Sequence, residues 1–396
     1  MSKVENLLQQ HPEWPAVESI YHKLRENGYK AFLAGGCVRD ALLGVFANDL
    51  DIATDATPDQ IEALFPKTVN VGKSFGVMRV LEKDEDIEVA TFRTDGSYAD
   101  GRRPDSVMFS SPEEDAKRRD FTINSLFFDL ENKTVLDFVD GQPDLENKII
   151  RTVGDPEQRF TEDHLRLLRA VRFVAQLDFI IEEETFKCIT KMSSLVKSVS
   201  GERLRDEWIK LLKSKHAAKG IKAAADTGLM RHLFPFHSND LHWEEKEHSQ
   251  DWHLLALFLR TANQSALQSS LDMLKLSTKE RRHIEDAWAT WHDPQGVLGL
   301  RWGEQLQRLA RPGVLYAFRI FETEKNELKL ANILLAWQAL DEKLPPPLLT
   351  GEDVHGLKGP DIGRCLQEAY NLQLEEQIPD REKALEWLAK YLASHK

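Results

Sequence analysis

Hydrophobic and polar positions change rhythm along the chain near Gly141. Before it, short apolar runs alternate with turn-rich breaks. "YKAFLAGG" reads as a strand entering a turn, "CVRDALLG" as a short helix stopped by Gly44, and "DLDIAT" as a strand. "TPDQIEALFP" carries a threonine cap, an early proline and a terminal proline, so it predicts a helix. "VMRVLE" and "EDIEVATFRT" read as successive strands, as do "FTINSLFFDL" and "KTVLDFVDG". The segment 94–117 is rich in Gly, Asp, Ser and Pro with little periodicity, which predicts a long functional loop.

After Gly141 the period becomes helical. "TEDHLRLLRAVRFVAQL", "TFKCITKMSSLVKSV", "GERLRDEWIKLLKS" and "HAAKGIKAAADTGLMRHLF" all predict helices, and the pattern persists to the end. "DEKLPPPLLTGEDVHGLKGP" interrupts it and sets apart a last helical unit, "DIGRCLQEAYNLQL" with "DREKALEWLAKYLA". The layout predicts a head of mixed α and β structure followed by a long all-α part.

Length and composition narrow the class. With 396 residues the chain can hold several cores, and 41% hydrophobic against 30% charged residues is an ordinary soluble balance. No apolar run reaches membrane-spanning length, so no membrane is expected as a partner. "MSKVENLLQQHPEWP" lacks the layout of a signal peptide. Three scattered cysteines, Cys37, Cys188 and Cys365, argue against a disulfide framework or a structural zinc, and the expectation is a cytoplasmic protein. A net charge of −13 speaks at first against a nucleic-acid partner. Phosphate binding follows local fields, however, and residues 202–222 hold seven Lys or Arg against three acids. Such a stripe suits either focused RNA binding or a solvated helix face.

"GGCVRDALLGVFANDLDIAT" holds the first candidate chemistry. Side chains alternate along a strand, so Asp49 and Asp51 share a face with Cβ atoms about 7 Å apart. Like charges so placed repel unless water screens them or a cation lies between, and Mg²⁺ favours carboxylate and phosphate oxygen. Gly35 and Gly36 end a strand and open a helix, which lets backbone N–H groups approach an anion, and Arg39 adds a cation one turn on. A phosphate cradle therefore sits a few residues from a possible metal pair.

"LAGGCVRDALLG…NDLDIAT" together with "KRRDFTINSLFFD" resembles the tRNA nucleotidyltransferase and bacterial poly(A) polymerase family, of the class found in bacteria and eukaryotes. The resemblance runs from about residue 29 to 215, and more weakly onward. It implies catalytic metals on Asp49 and Asp51, and triphosphate contacts from the Gly35–Gly36 turn and Arg39. It also implies a nucleotide contact from Arg119, with Asp120 and Asn124 shaping the sugar and phosphate site. Asn48 stands where relatives often carry Lys or Asp, which leaves the metal pair intact but alters local charge.

"RFTEDHLRLLRAVRF" is the next match. A helix starting near Thr161, with its hydroxyl as cap, puts Leu167, Leu168, Val171, Val174 and Ala175 on one apolar face. Asp163, Arg166 and Arg169 fall opposite, with Arg172 at the edge. An acceptor beside a planar five-donor group can bond the edge of a base, or can simply form an i,i+3 ion pair. The resemblance implies the former: Asp163 and Arg166 select CTP and ATP as a protein template, supported by Arg169 and Arg172.

Asp86 and Glu88 share a strand face, and Glu88 is the expected third carboxylate because relatives often carry an acid before "VxTFR". Family members that add only the two cytidines lack much of the segment matching 94–117, so the resemblance disfavours a CC-only enzyme. "VGKSFGVMRV" and the tail "LLTGEDVHGLKGPDIGRCLQEA" resemble CCA-adding members more than polymerases. His232, His237, His242, His248 and His253 cluster loosely but lack a His-Asp hydrolase motif, and Cys37 reads as a small packed residue.

The expectation is thus a five-stranded nucleotidyltransferase head over 1–145, a helical neck over 146–215, a body over 216–340 and a tail over 341–396. Its reaction would be Mg²⁺-assisted attack of a tRNA 3′-hydroxyl on CTP or ATP, without an obligate protein partner. Arg203, Arg205, Lys210, Lys213 and Lys219, together with "KERR" at 279–282, would hold the acceptor end by its phosphates. The alternatives are a poly(A) polymerase or A-adding enzyme with the same chemistry, a non-catalytic RNA-binding protein, and a purely structural helical protein.

Overall fold

The computed structural model describes residues 3–96, 106–235, 250–325 and 328–394. Among the described residues before Gly141, nine strands form: β1 (Ala31–Ala34), β2 (Ile52–Thr54), β3 (Thr68–Gly72), β4 (Val77–Glu82), β5 (Glu85–Thr91), β6 (Arg93–Asp95), β7 (Val107–Phe109), β8 (Phe127–Asp129) and β9 (Thr134–Leu136). Seven of them make one mixed sheet in the order β3-β4-β5-β2-β1-β8-β9. The expected five-stranded sheet is corrected to seven: the β8–β9 hairpin extends it past β1, and β3, which the sequence pattern did not mark, adds the opposite edge beside β4. β2 and β5 run parallel with Ile52 opposite Val89, and the other pairs are antiparallel.

Local chemistry explains the elements that place the site. Gly35 has φ +76 and ends β1, and the helix Gly36–Leu43 starts directly behind it. Gly44 closes that helix in the left-handed conformation, as its position predicts. Thr57 and Gln60 complete a capping box on the helix Pro58–Leu64. The segment 94–117 is more ordered at its ends than the sequence suggests. β6 pairs with β7, and a helix spans Pro112–Lys117; the middle of the segment lies outside the described residues.

"DLDIAT" also needs a correction. The strand begins only at Ile52, so Asp49 and Asp51 lie in the extended lead-in to β2. Alternation still holds there. Leu50 is buried and its N–H donates to Glu13 Oε2 at 2.8 Å, while the Asp51 carbonyl accepts from Ala34 N–H at 3.0 Å. Both aspartates are thereby turned away from the Leu50 side.

Under the sheet, Phe32, Phe92 and Phe127 pack with centroids 6.0–6.3 Å apart. The following helices bury their own stripes, chiefly from Leu165–Leu177, Gly201–Leu212 and Ala217–Asp226.

The chain divides into two compact units, Met1–Glu245 and Lys246–Lys396. The second unit is helical in all its regular structure among the described residues. Its end has a core of its own, built from Leu349, Val354, Cys365, Ala369, Ile378, Ala384 and Leu388 around the helices Pro360–Leu374 and Arg381–Ser394. No helix among the described residues is long and apolar enough to cross a membrane.

Candidate active site

One open cleft of about 970 Å³ lies within the first unit. It brings together the turn Gly35–Gly36, Arg39, Asp49, Asp51, Glu88, Arg119, Asp120, Asn124, Asp163, Arg166, Arg169, Arg172, Arg203, Lys210 and Lys213. Residues more than a hundred positions apart thus share one wall.

At its floor the carboxylates meet. Ile52 pairs with Val89 in parallel register, so the residues before them, Asp51 and Glu88, sit side by side. Burial pushes the Asp51 carboxyl up to about 7, with the charges of Glu88 and Asp49 adding to the effect. Burial likewise raises Glu88, against the pull of Arg79. Asp86, the other candidate on that strand face, lies outside the cleft lining and forms an ion pair with Arg79 at 2.7 Å. Anions that destabilise one another here are what a hard cation would relieve. Two carboxylates with room for phosphate oxygens fit Mg²⁺, which keeps part of its shell for substrate. Among the described residues no group of three or more His, Cys, Asp or Glu forms a self-sufficient metal site.

Beside the floor stands a tightly bonded set of arginines. Arg39 is buried, donating from Nε to Asp40 at 2.8 Å and from Nη1 to Asn124 Oδ1 at 2.5 Å. Asn124 donates to Asp120, and Asp120 accepts from Arg169 Nε at 2.7 Å. Burial alone would raise Asp120, but Arg169 and Arg166 hold it down at about 2. Asp120 and Asn124 therefore work by tying the helix at the glycine turn to the helix Leu165–Leu177. Burial lowers Arg172 to about 10, although its Nε meets Glu207 at 2.6 Å. The Phe173 ring lies beneath Arg39, Arg169 and Arg172, at 5.4, 5.5 and 3.8 Å from their guanidinium carbons.

The template residues are arranged differently from expectation. One helix from Thr161 is not formed: a first helix, Pro156–Glu162, ends at Asp163 in extended conformation, and a second runs over Leu165–Leu177. Thr161 does not cap; its hydroxyl bonds the Glu157 carbonyl inside the first helix. Asp163 and Arg166 line the same cleft, and the Arg166 backbone N–H donates to the Asp163 carbonyl at 3.0 Å, but their side chains turn to other partners. Asp163 accepts both arms of Arg203, at 3.1 and 2.7 Å, while Arg166 donates to Glu162 at 2.7 Å and to the carbonyls of Arg159 and Arg118.

The basic stripe at 202–222 also divides. The helix Gly201–Leu212 ends before Ala217–Asp226 begins, which breaks any single face. Arg203 is drawn into the cleft by Asp163, and Lys210 and Lys213 line its rim. Arg205 turns to Asp206 and Lys219 to Asp178, outside the cleft lining. His237, His242 and His248 lie outside the described residues, and His253 stacks on Tyr316. Cys37 is buried as expected, its thiol pushed up to about 12 by burial.

Sequence reasoning missed Asp115, Arg118, Glu162, Glu207 and Phe173. Asp115 to Arg119 and Glu162 to Arg166 are each spaced i,i+4, a signal that was present. Glu207 reaches Arg172 across two helices, which no local pattern marks.

A carboxylate pair at the open end of a mixed sheet, facing a glycine turn and a wall of arginines, defines a nucleotidyltransferase head. Known proteins agree. A family model described as "Poly A polymerase head domain" matches residues 31–151, and one described as "Probable RNA and SrmB- binding site of polymerase A" matches 178–241. The CCA-adding enzyme of Bacillus subtilis (strain 168) is 37% identical over 374 residues, covering 89% of this chain and 90% of that protein. The CCA-adding enzyme of Ligilactobacillus salivarius is 48% identical over 214 residues, a match that spans about half of each chain, 54% and 53%. The crystal structure of the Bacillus stearothermophilus CCA-adding enzyme in complex with CTP superposes with a TM-score of 0.80 at 28% identity, over 98% of this chain and 99% of that one. The chain belongs to the family of CCA-adding enzymes and related poly(A) polymerases.

Proposed function

We propose that this protein adds C, C and A in turn to the 3′ end of tRNA, using CTP and ATP and releasing pyrophosphate. The observation that carries the reading is the single cleft in which Asp49 and Asp51 face both the arginine wall and the helix Leu165–Leu177. The relatives named for CCA addition support it.

In this reading the tRNA 3′-oxygen bonds the α-phosphorus as the bond to the β-phosphate oxygen breaks. Asp49 and Asp51 would hold Mg²⁺, which when bound neutralises phosphate charge and acidifies the attacking hydroxyl. The Gly35–Gly36 turn and Arg39 hold the triphosphate, with Arg119 beside them. Asp163 and Arg166 face the base, and Arg203 fixes the direction of the Asp163 carboxylate. Lys210 and Lys213 at the rim take the phosphates of the entering 3′ end, with Arg205 and Lys219 further along the acceptor stem. Residues 1–145 then carry catalysis, 146–215 nucleotide choice and 341–396 further tRNA contact. Three free thiols suit a reducing compartment, the cytoplasm.

The test is to incubate tRNA ending in its discriminator base with CTP, ATP and Mg²⁺, and to sequence the 3′ ends. Ends completed to CCA support the reading. A long A tract selects the polymerase, and unextended ends remove the enzymatic reading altogether.

A further inference from the structure

Asp115 is the most enclosed carboxylate near the cleft that the reaction does not use, at 1% exposure. It stands in the short helix Pro112–Lys117, one turn before the two arginines of "KRRD". Its Oδ1 accepts from Arg118 at 2.9 Å (Nε) and 2.6 Å (Nη2), and from the Arg93 backbone N–H at 3.2 Å. Its Oδ2 accepts from Arg119 at 3.1 Å (Nε) and 3.0 Å (Nη2). One buried carboxylate therefore holds two guanidinium groups and the first residue of β6.

Each partner leads somewhere different. Arg119 is further fixed by the Asn124 carbonyl at 3.2 Å and the Phe127 ring at 5.0 Å, and its Nη1 lies 2.9 Å from where a side chain on Gly35 would start. Three of its five N–H groups go to protein acceptors among the described residues, and Arg119 itself lines the cleft. Arg118 bonds the Arg93 carbonyl, and its own carbonyl accepts from Arg166 at 3.3 Å. Asp115 thus joins the phosphate side of the cleft, the β6–β7 hairpin and the base-facing arginine.

The geometry points to Asp115 as a positioning residue that aims Arg119 at the triphosphate and so sets nucleotide affinity without touching substrate. The inference rests on the nucleotidyltransferase reading of the cleft. A carboxylate accepting both Arg119 donors on one edge fixes the plane of that guanidinium and the direction of its remaining N–H groups. An amide there would offer the same arginines an N–H in place of an acceptor. A merely local ion pair would instead stabilise the helix and leave nucleotide binding alone.

The experiment measures equilibrium binding of CTP and of ATP to the full chain, which needs no turnover, in a cycle of Asp115→Asn, Arg119→Ala and the double variant. Loss of CCA addition by wild type with intact nucleotide binding would strike the functional reading and leave this inference standing. Asp115→Asn is expected to weaken both nucleotides about tenfold or more, as loss of a charge-assisted bond does. In the Arg119→Ala background the same change should cost less than about twofold, because Asp115 then has no Arg119 to aim. Equal losses in both backgrounds, or no loss in either, overturn the inference. If Asp115→Asn does not fold, Asp115→Glu takes its place in the cycle: its longer arm redirects Arg119 while keeping the charge. A drop in affinity confined to the Arg119 background supports the inference, and unchanged or Arg119-independent affinity overturns it.

Discussion

Asp51 shows how a locally unfavourable residue becomes sensible only in company. Parallel pairing of β2 with β5 sets it beside Glu88, and burial raises its carboxyl to about 7. Such a cluster costs stability unless its charge is used. Gly35 is constrained from both sides: φ +76 disfavours any side chain, and a Cβ would stand 2.9 Å from Arg119 Nη1. Gly35→Ala is therefore expected to raise KM for CTP and ATP together at least several-fold, with KM for tRNA little changed, in steady-state kinetics with each substrate varied. At this scale much was legible. Asp49, Asp51, Arg39, Arg119 and Asp163 all line the cleft, and each was legible because it sits in a short motif contiguous in sequence. The pairing of Asp163 with Arg203 was not legible, since forty positions separate them and neither residue advertises the other.

Helices and strands explain where pattern reading succeeds and fails. The Thr57 cap, the Gly44 stop and the β4–β5 hairpin follow from local chemistry that tertiary packing leaves alone. The start of the template helix fails for a physical reason. Helical spacing continues through Asp163, but that residue leaves the helical conformation and its carboxylate turns to Arg203. β3 went unread because its residues, Thr68–Gly72, are largely exposed and show no buried alternation. The helix Leu165–Leu177 is held to its cleft face by Phe173, which packs edge-on against Phe121 at 5.6 Å beneath three arginines. Phe173→Ala should lower unfolding stability by about 3–5 kcal/mol in urea titration. It should also raise KM for both nucleotides, because the arginines lose their floor. A stability loss with unchanged KM would assign Phe173 to packing alone.

Over the whole molecule, a net charge of −13 coexists with a cleft wall of arginines, so average charge does not describe the local field of the cleft. Electrostatics also sets acid stability. Asp120 is held at about 2 against an ordinary 3.8, so its contribution is fully present above that ordinary value and is lost as pH falls from about 4 towards 2. Stability from urea unfolding between pH 5 and 2 should fall more steeply for the wild type than for Asp120→Asn, which lacks that titration. Parallel slopes would mean Asp120 binds protons alike in both states.

In the proposed reaction, bond formation rests on Asp49 and Asp51 and the choice of nucleotide on Asp163, all within one cleft. The most direct measurement sequences the 3′ ends made on one tRNA by wild type, Asp51→Ala and Asp163→Ala, with CTP and ATP both present. The expected products are CCA from wild type, no extension from Asp51→Ala, and extended ends of mixed C and A from Asp163→Ala. Clean CCA from Asp163→Ala, or extension by Asp51→Ala at the wild-type rate, would contradict it.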